Sequence, residues 1–184
     1  MLEEFLTTID HSRAKRLAFA QFIIAHPHRI PELLDFCART DAEISYRACW
    51  GLEFMCKEHL HYLYPHLDSF ITIAPTVYQP PAVRPVAKIC EYLTISFYQK
   101  KEPDIQHQLT PSHRNALTEI CFDWFISDQK VAVKAYTMTS LYWLGTEFSW
   151  IHPELKKIME QEYSTGSAAY KARARQILSK LSRK

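Results

Sequence analysis

The stretch Ala82-Val83-Arg84-Pro85 is the clearest copy of a short pattern that recurs along the chain. Two mostly small or β-branched residues followed by a basic residue also occur at Ser45-Tyr46-Arg47-Ala48, Ala132-Val133-Lys134-Ala135 and Ala169-Tyr170-Lys171-Ala172. Arg47 and Arg84 are 37 positions apart, and so are Lys134 and Lys171. A fixed period of about 20–50 residues is typical of repeat proteins, so the spacing predicts a repeat architecture.

The spacing between the second and third copies is longer than the other two. Arg84 and Lys134 are 50 positions apart, and the surplus of 13 residues falls on the polar segment 100–110. An insertion between two repeats explains this distance, because insertions in repeat proteins go into the loops. Arg13-Ala14, which lies 34 positions before Arg47, marks a fifth and atypical copy at the N-terminal end.

Prolines and apolar residues indicate that each copy is a pair of helices. Pro31, Pro65, Pro111 and Pro153 each open an apolar helical pattern, and proline is favoured at the first helical position because that N–H has no intrahelical partner. Only three of the 184 residues are glycine, which disfavours β-hairpins and phosphate-binding loops. The sequence predicts one all-α domain, 1–184, of five helix hairpins at about 2–25, 30–58, 63–99, 111–147 and 152–182, with an insertion loop at about 100–110.

This pattern resembles that of HEAT repeats. In that family a proline-opened first helix is followed by an aspartate in the turn and by Val-Arg-x-x-Ala at the start of the second helix. Val83-Arg84-Pro85-Val86-Ala87 matches the last part closely. The resemblance implies a right-handed α-α superhelix, or solenoid, of about five HEAT-like hairpins. An armadillo-type or other α-α superhelix fits nearly as well.

The resemblance also implies a ladder of paired aspartate and basic side chains along the solenoid. Asp41 precedes Arg47 by six positions, and Asp128 precedes Lys134 by six. Both aspartates are also good N-caps by their chemistry. In the other two copies the aspartate position holds Tyr78 and Thr165. We therefore expect the ladder to be interrupted in those copies.

The second helices of a solenoid line one surface, on which such proteins bind extended partners. A row of cations there would attract phosphate or carboxylate groups. The alternative is that the cations complete the internal ladder and cap helix ends. Tryptophans at helical spacing likewise belong either to the core or to the binding surface. The predicted surface residues are Arg47, Arg84, Lys88, Lys134, Lys171, Arg175, Trp50, Trp143 and Glu147.

Two tryptophans lie beside acidic residues at helical spacing. Trp143 and Glu147 are four positions apart, and Trp50 and Glu53 are three apart. This resembles the HEAT-like DNA glycosylases that excise alkylated purines, which implies tryptophans that grip DNA and a carboxylate that assists cleavage. Two observations count against this function. Asp123-Trp124 falls on a first helix, and the chain before its basic C-terminal segment is net negative.

No motif in the sequence specifies a reaction. There is no Gly-x-Ser-x-Gly and no His-Glu-x-x-His, and the five cysteines lack any C-x-x-C spacing, so we expect no cofactor, no metal and no enzyme activity. His59-Leu60-His61 does not suit a metal site, because residues two apart on a helix point to different sides. The predicted function is a protein-interaction module without enzymatic activity, with nucleic-acid binding as the alternative.

The expected location is the cytoplasm. Met1-Leu2-Glu3-Glu4 is acidic where a secretory signal would be basic. The longest apolar stretch, residues 17–25, is well short of the roughly 20 residues that span a bilayer. Five cysteines, an odd number lying among apolar neighbours, suit a reducing compartment. We expect no membrane partner.

Overall fold

The computed structural model describes residues 2–183, and this part of the chain contains helices and no strand. The all-α fold class predicted from the sequence is therefore confirmed. The α-helices are α1 (Leu2–Thr8), α2 (Arg13–Ala25), α3 (Ile30–Cys37), α4 (Glu43–His59), α5 (Leu67–Ile73), α6 (Pro80–Thr94), α7 (Pro103–Gln108), α8 (Pro111–Ile126), α9 (Val131–Leu144), α10 (Ile151–Glu162) and α11 (Ala168–Leu181). Short 3₁₀ turns lie at Pro27–Arg29, Leu60–His66 and Ala74–Thr76.

The helices pack in an order that follows the chain. α2 packs against α4, α4 against α6, α6 against α9 and α9 against α11. We call these five helices the second-helix layer. The helices α3, α5 and α8 also contact one another in chain order. Each of α3, α8 and α10 packs against the next helix of the chain, which belongs to the second-helix layer. No helix among residues 2–183 is both long and apolar enough to cross a membrane.

Local chemistry explains where several helices begin. The Ser12 side chain accepts a hydrogen bond from the backbone N–H of Lys15 at the start of α2. Thr110 and His113 form a reciprocal capping box at the start of α8, and the Ser167 hydroxyl caps α11. Such caps satisfy backbone N–H groups that have no partner inside the helix.

The two turn aspartates are not N-caps. The N-cap of α4 is Ala42 and that of α9 is Lys130, and neither makes a side-chain cap hydrogen bond. Asp41 instead accepts a hydrogen bond from the Tyr78 hydroxyl at 2.6 Å. Its carboxylate therefore faces the next turn along the layer and not the helix that follows it.

One continuous apolar core lies between the second-helix layer and the first helices. Gly51 on α4 allows α2 to approach closely, since a β-carbon there would lie 2.4 Å from the Phe19 ring. All five cysteines are buried free thiols within this core. Buried thiols behave as small apolar side chains, as their sequence context predicts.

The predicted insertion folds into a compact detour. α6 runs on into a π-helical turn, Ile95–Lys100, and Lys101 then reverses the chain at a φ of 54°. The expected loop 100–110 contains the short helix α7. Glu102 fixes this detour to the body, because its carboxylate accepts hydrogen bonds from Ser96 at 2.5 Å and from Tyr64 at 3.3 Å.

Candidate functional site

Two charged clusters lie on the second-helix layer. The first, which we call the N-terminal cluster, consists of Arg16, Trp50, Glu53, Phe54 and Arg84. Glu53 is only 6% exposed, and Arg84 Nη2 donates to its Oε2 at 2.8 Å. The Arg16 guanidinium lies 5.5 Å from the Trp50 ring centroid and 5.1 Å from that of Phe54. Burial and the nearby charge of Arg84 lower the pKa of Arg16. Arg84 thus pairs with the carboxylate, while Arg16 lies over the two aromatic rings.

The second cluster has the same composition. This C-terminal cluster consists of Lys88, Glu91, Tyr92, Tyr136 and Arg173. Glu91 is 3% exposed and accepts from Lys88 Nζ on its own helix and from Arg173 Nη1 on α11 at 3.1 Å. Lys88 Nζ lies 4.4 Å from the Tyr136 ring centroid and 5.1 Å from that of Tyr92. The cluster therefore joins α6, α9 and α11.

Each cluster combines two cations, one buried carboxylate and two aromatic rings. A buried carboxylate is stable only when it is paired, because the low-dielectric interior does not solvate its charge. The pairing gives each cluster a net charge of about +1 at neutral pH, since Lys and Arg stay protonated there. The layer is therefore cationic at two points that also carry half-buried rings.

The cations at the predicted row positions mostly have local partners. Arg47 pairs with Glu43 one turn before it and also donates to the Thr7 carbonyl. Lys134 Nζ lies 3.2 Å from both carboxylate oxygens of Glu162. Arg84 belongs to the N-terminal cluster and Lys88 to the C-terminal cluster.

The ladder of aspartate and basic residues does not form. Arg47 pairs with Glu43 in place of Asp41, and Lys134 pairs with Glu162 in place of Asp128. Residues four apart share a helix face, so Glu43 reaches Arg47 more readily than a carboxylate in the preceding turn.

The two remaining cations of the predicted surface lie on α11. Arg175 donates to the Tyr163 hydroxyl at 3.2 Å, and Lys171 makes no ion pair with any residue from 2 to 183.

The aromatic predictions divide between core and surface. Trp50 is only 5% exposed, and its indole Nε1 donates to the Pro81 carbonyl at 2.9 Å. It is therefore mainly a core residue whose edge contributes to the N-terminal cluster. Trp143 is half-buried, and the Lys180 ammonium lies 5.9 Å from its ring.

Glu147 lies beyond the end of α9 and not beside Trp143 on the layer. Arg114 on α8 binds its carboxylate through Nε at 2.7 Å and Nη2 at 2.9 Å, and the Tyr98 hydroxyl donates to it at 2.5 Å. The hydrogen bond from Arg114 lowers the pKa of Glu147. The predicted pairing of this carboxylate with a tryptophan is replaced by a bidentate pair between two helix ends.

Several members of the clusters are not among the surface residues predicted from the sequence. They are Arg16, Phe54, Glu91, Tyr92, Tyr136 and Arg173, and Glu53 enters the predictions only beside Trp50. One signal was available, because Glu53 and Glu91 are acidic residues inside apolar helical segments and lie close to one repeat period apart. A carboxylate in such a position needs a partner cation.

The histidines have structural roles or exposed positions. His113 Nδ1 accepts from the Thr110 backbone N–H at 3.3 Å, so Nε2 carries the proton and donates to Asp68 at 2.6 Å. Nδ1 therefore helps to cap α8, while Nε2 joins α8 to α5. Within residues 2–183 no group of three or more His, Cys, Asp or Glu side chains is placed to hold a metal ion.

A cleft of about 520 Å³ lies between the end of α4 and the α7 detour. Its walls carry charges of both signs, and Lys100 pairs with Glu102 at 3.3 Å inside it. The cleft therefore favours neither an anionic nor a cationic ligand. The second-helix layer is the stronger candidate for a binding site.

Comparison of the chain with protein-family models, curated proteins and solved structures finds no match in any of the three. The function of the protein must therefore be inferred from the chemistry of the second-helix layer.

Proposed function

We propose that the protein is a non-enzymatic interaction module that binds an extended acidic segment of a partner protein along the second-helix layer. The observation that carries the proposal is the composition of the two clusters. Each contains two cations and one buried carboxylate, together with at least one half-buried aromatic ring. Cationic and aromatic side chains together supply both charge attraction and apolar contact area for a bound peptide.

The proposal includes the architecture of the protein. We propose that the second-helix layer is the inner surface of a right-handed α-α superhelix of five HEAT-like hairpins. The 37-residue spacing of the basic residues supports this arrangement, as does the packing of α2, α4, α6, α9 and α11 in chain order. Extended partners bind such surfaces in solenoid proteins.

Unused hydrogen-bond donors favour a carboxylate ligand. A guanidinium has five N–H donors, and Arg84 uses one nitrogen, Nη2, toward Glu53. Its side chain is about one-third exposed. Arg16 donates to the Ser12 and His11 carbonyls through Nε and Nη2, which leaves Nη1 without a partner among the described residues. A glutamate or aspartate of the partner would satisfy these donors with charge-assisted bonds.

Nucleic-acid binding, including base excision from DNA, is the second candidate. The observation in its favour is that cations and aromatic rings share one face, an arrangement that also suits phosphates and stacked bases. Against it, the buried carboxylates of Glu53 and Glu91 already neutralise half of the cluster cations. A cationic surface for duplex DNA needs many unpaired Lys and Arg side chains.

The proposed location is the cytoplasm. All five thiols are unpaired and buried, and a chain of this kind is typical of a reducing compartment.

Fluorescence anisotropy of a labelled Glu-rich peptide tests the proposal. We expect saturable binding of this peptide and much weaker binding of its Gln-substituted counterpart. Arg16→Gln should weaken binding several-fold, because it removes guanidinium donors that a partner carboxylate would use. The variant should still fold, because Arg16 is not the partner of a buried carboxylate and its loss leaves Glu53 paired. Arg13→Gln, an exposed position on the same helix, is the matched control and should bind like the wild type.

The same assay separates the two candidates. Equal binding of the Glu-rich and Gln-substituted peptides would overturn the acidic-segment proposal. Tighter binding of a short DNA duplex, with an affinity that falls steeply as salt rises, would favour the nucleic-acid function. A duplex with and without an alkylated base then distinguishes binding from base excision.

A further inference from the structure

Basic residues are concentrated on the five helices of the second-helix layer. Three of these helices, α2, α9 and α11, contain no aspartate or glutamate. Together the five helices carry twelve Lys and Arg residues against four Glu, whereas the rest of the chain carries ten basic and sixteen acidic residues. The helices of the layer therefore have a net charge of +8 and the rest of the chain −6. This imbalance attracts an anionic ligand to the layer.

The two charged clusters meet on one face of α6. Arg84, Lys88 and Tyr92 are spaced four positions apart, so they lie one above another on the same side of this helix. Arg84 belongs to the N-terminal cluster, and the other two belong to the C-terminal cluster. Burial and the nearby carboxylates of Glu53 and Glu91, one from each cluster, raise the pKa of Tyr92. The two clusters therefore adjoin and form one site, which we call the α6 site.

The buried carboxylates hold the cations of the α6 site in place. Glu53 accepts from Arg84 Nη2 at 2.8 Å. Glu91 accepts from Lys88 and, at 3.1 Å, from Arg173 Nη1. The side chains of these three cations are still about one-quarter to one-third exposed. Because their rotamers are already restricted, they lose little conformational freedom when a ligand binds.

Hydrogen-bond donors of the α6 site remain available to a ligand. Arg84 Nε and Nη1, and Arg173 Nε and Nη2, make no hydrogen bond with any residue from 2 to 183. The hydroxyls of Tyr92 and Tyr136 are also unpaired within this part of the chain. Each of these atoms retains solvent-accessible surface. The site therefore presents free donors from α6, α9 and α11.

The charge of the α6 site matches a phosphate monoester better than a single carboxylate. Its four cations, with Arg16 included, face two buried carboxylates, which leaves a net charge of about +2 at neutral pH. A phosphorylated serine carries about −1.5 to −2 at pH 7 and three strong acceptor oxygens. A carboxylate carries one negative charge and two oxygens. Guanidinium groups also bind phosphate through two parallel hydrogen bonds.

We propose that the α6 site binds a phosphorylated serine side chain of the partner segment. Its phosphoryl oxygens would accept from Arg84 and Lys88 on α6 and from Arg173 on α11. The rings of Tyr92 and Tyr136 would contact apolar atoms of the residues beside the phosphoserine. This inference deepens the proposed function and rests on it, because α6 lies in the middle of the second-helix layer, between α4 and α9.

Fluorescence anisotropy with three matched peptides tests the inference. One central position of a Glu-rich peptide carries phosphoserine, glutamate or serine, and the rest of the sequence is unchanged. We expect the phosphoserine peptide to bind several-fold more tightly than the glutamate peptide, and the serine peptide to bind most weakly. Equal affinities for the phosphoserine and glutamate peptides would overturn the proposal.

Binding at two pH values tests the charge match on the wild-type protein. Phosphate gains its second negative charge near a pKa of about 6, so the phosphoserine peptide should bind several-fold more tightly at about pH 7.5 than at about pH 5.5. The glutamate peptide is the control, because carboxylates with a pKa of about 4.3 stay ionised over this range. It also reports any effect of His11, whose ring centroid lies 5.1 Å from that of Trp50. The same pH dependence for both peptides would contradict binding of a dianion.

Two variants test the assignment of the site. Lys88→Gln removes one cation of the α6 site, while Arg173 still pairs with Glu91, so the variant should fold. It should bind the phosphoserine peptide several-fold more weakly. Lys180→Gln removes the same charge from an exposed position on α11 beside Trp143, and this matched control should bind like the wild type. Unchanged binding by Lys88→Gln, or equal losses in both variants, would refute the assignment. If Lys88→Gln does not fold, the pH comparison decides, since it uses the wild-type protein.

The inference and the proposed function can fail separately. If the phosphoserine and glutamate peptides bind equally well, the phosphoserine inference is overturned and the interaction module is supported. If only the phosphoserine peptide binds, the α6 site is supported and the acidic-segment proposal, which requires recognition of carboxylates, is overturned. A single-stranded oligonucleotide that binds more tightly than the phosphoserine peptide would overturn the inference in favour of nucleic-acid binding.

Discussion

Replacement of Glu91 by glutamine tests how far the C-terminal cluster holds the second-helix layer together. The amide keeps the shape of the side chain but removes the charge that Lys88 and Arg173 share. Breaking a buried ion pair costs about 3–5 kcal/mol. The Lys88 and Arg173 side chains are 24% and 30% exposed, so water screens part of their repulsion. We therefore expect a loss of about 2–3 kcal/mol in the free energy of unfolding.

Urea unfolding at pH 7, followed by far-UV circular dichroism, measures this loss. The midpoint should fall with an unchanged slope, and Tm should drop by about 4–12 °C for a domain of this size. Glu160→Gln is the control, because Glu160 pairs with Lys156 at 3.9 Å on the surface and should cost less than about 0.5 kcal/mol. A loss for Glu91→Gln no larger than that of the control would refute the view that the cluster stabilises the layer.

Three further predictions concern packing, pH and thiol reactivity. Gly51→Ala should destabilise the protein by about 1–3 kcal/mol, because the added carbon meets the Phe19 ring at 2.4 Å. Thermal unfolding measures this, and Phe19→Leu in the same chain should recover part of the loss; no recovery would contradict the clash. The pKa of Glu147 is lowered from 4.5 by Arg114, so the stability that it contributes is present above pH 4.5 and is lost as the pH falls through its folded value. Urea midpoints of wild type and Glu147→Gln should therefore differ at pH 7 and converge in acid, and a constant difference would argue against the pair. Burial raises the pKa of the Cys56 thiol, so a thiol reagent should label the native cysteines slowly and all five rapidly in denaturant; fast native labelling would contradict their burial.

Local sequence features predict the helical character of the chain and many of the points at which its helices begin. Scarce glycine, prolines in first turns and side-chain caps such as Ser12 and Thr110 act within a few residues. Such local preferences can be seen in the sequence because they need no knowledge of distant neighbours. The recurring basic residue also predicts that Arg84 and Lys134 lie near the starts of α6 and α9, where the structure has them.

The pairing of charges, in contrast, depends on how the helices pack. Arg173 and Glu91 are 82 positions apart in sequence, and Arg16 meets Trp50 and Phe54 because α2 packs against α4. The expected pairing of Asp41 with Arg47 failed because a carboxylate on the same helix face lies closer to the guanidinium. Periodicity gives the face on which a side chain lies, but not the partner that packing brings to it. The two cationic clusters are therefore properties of the folded chain, since each depends on how neighbouring helices are packed.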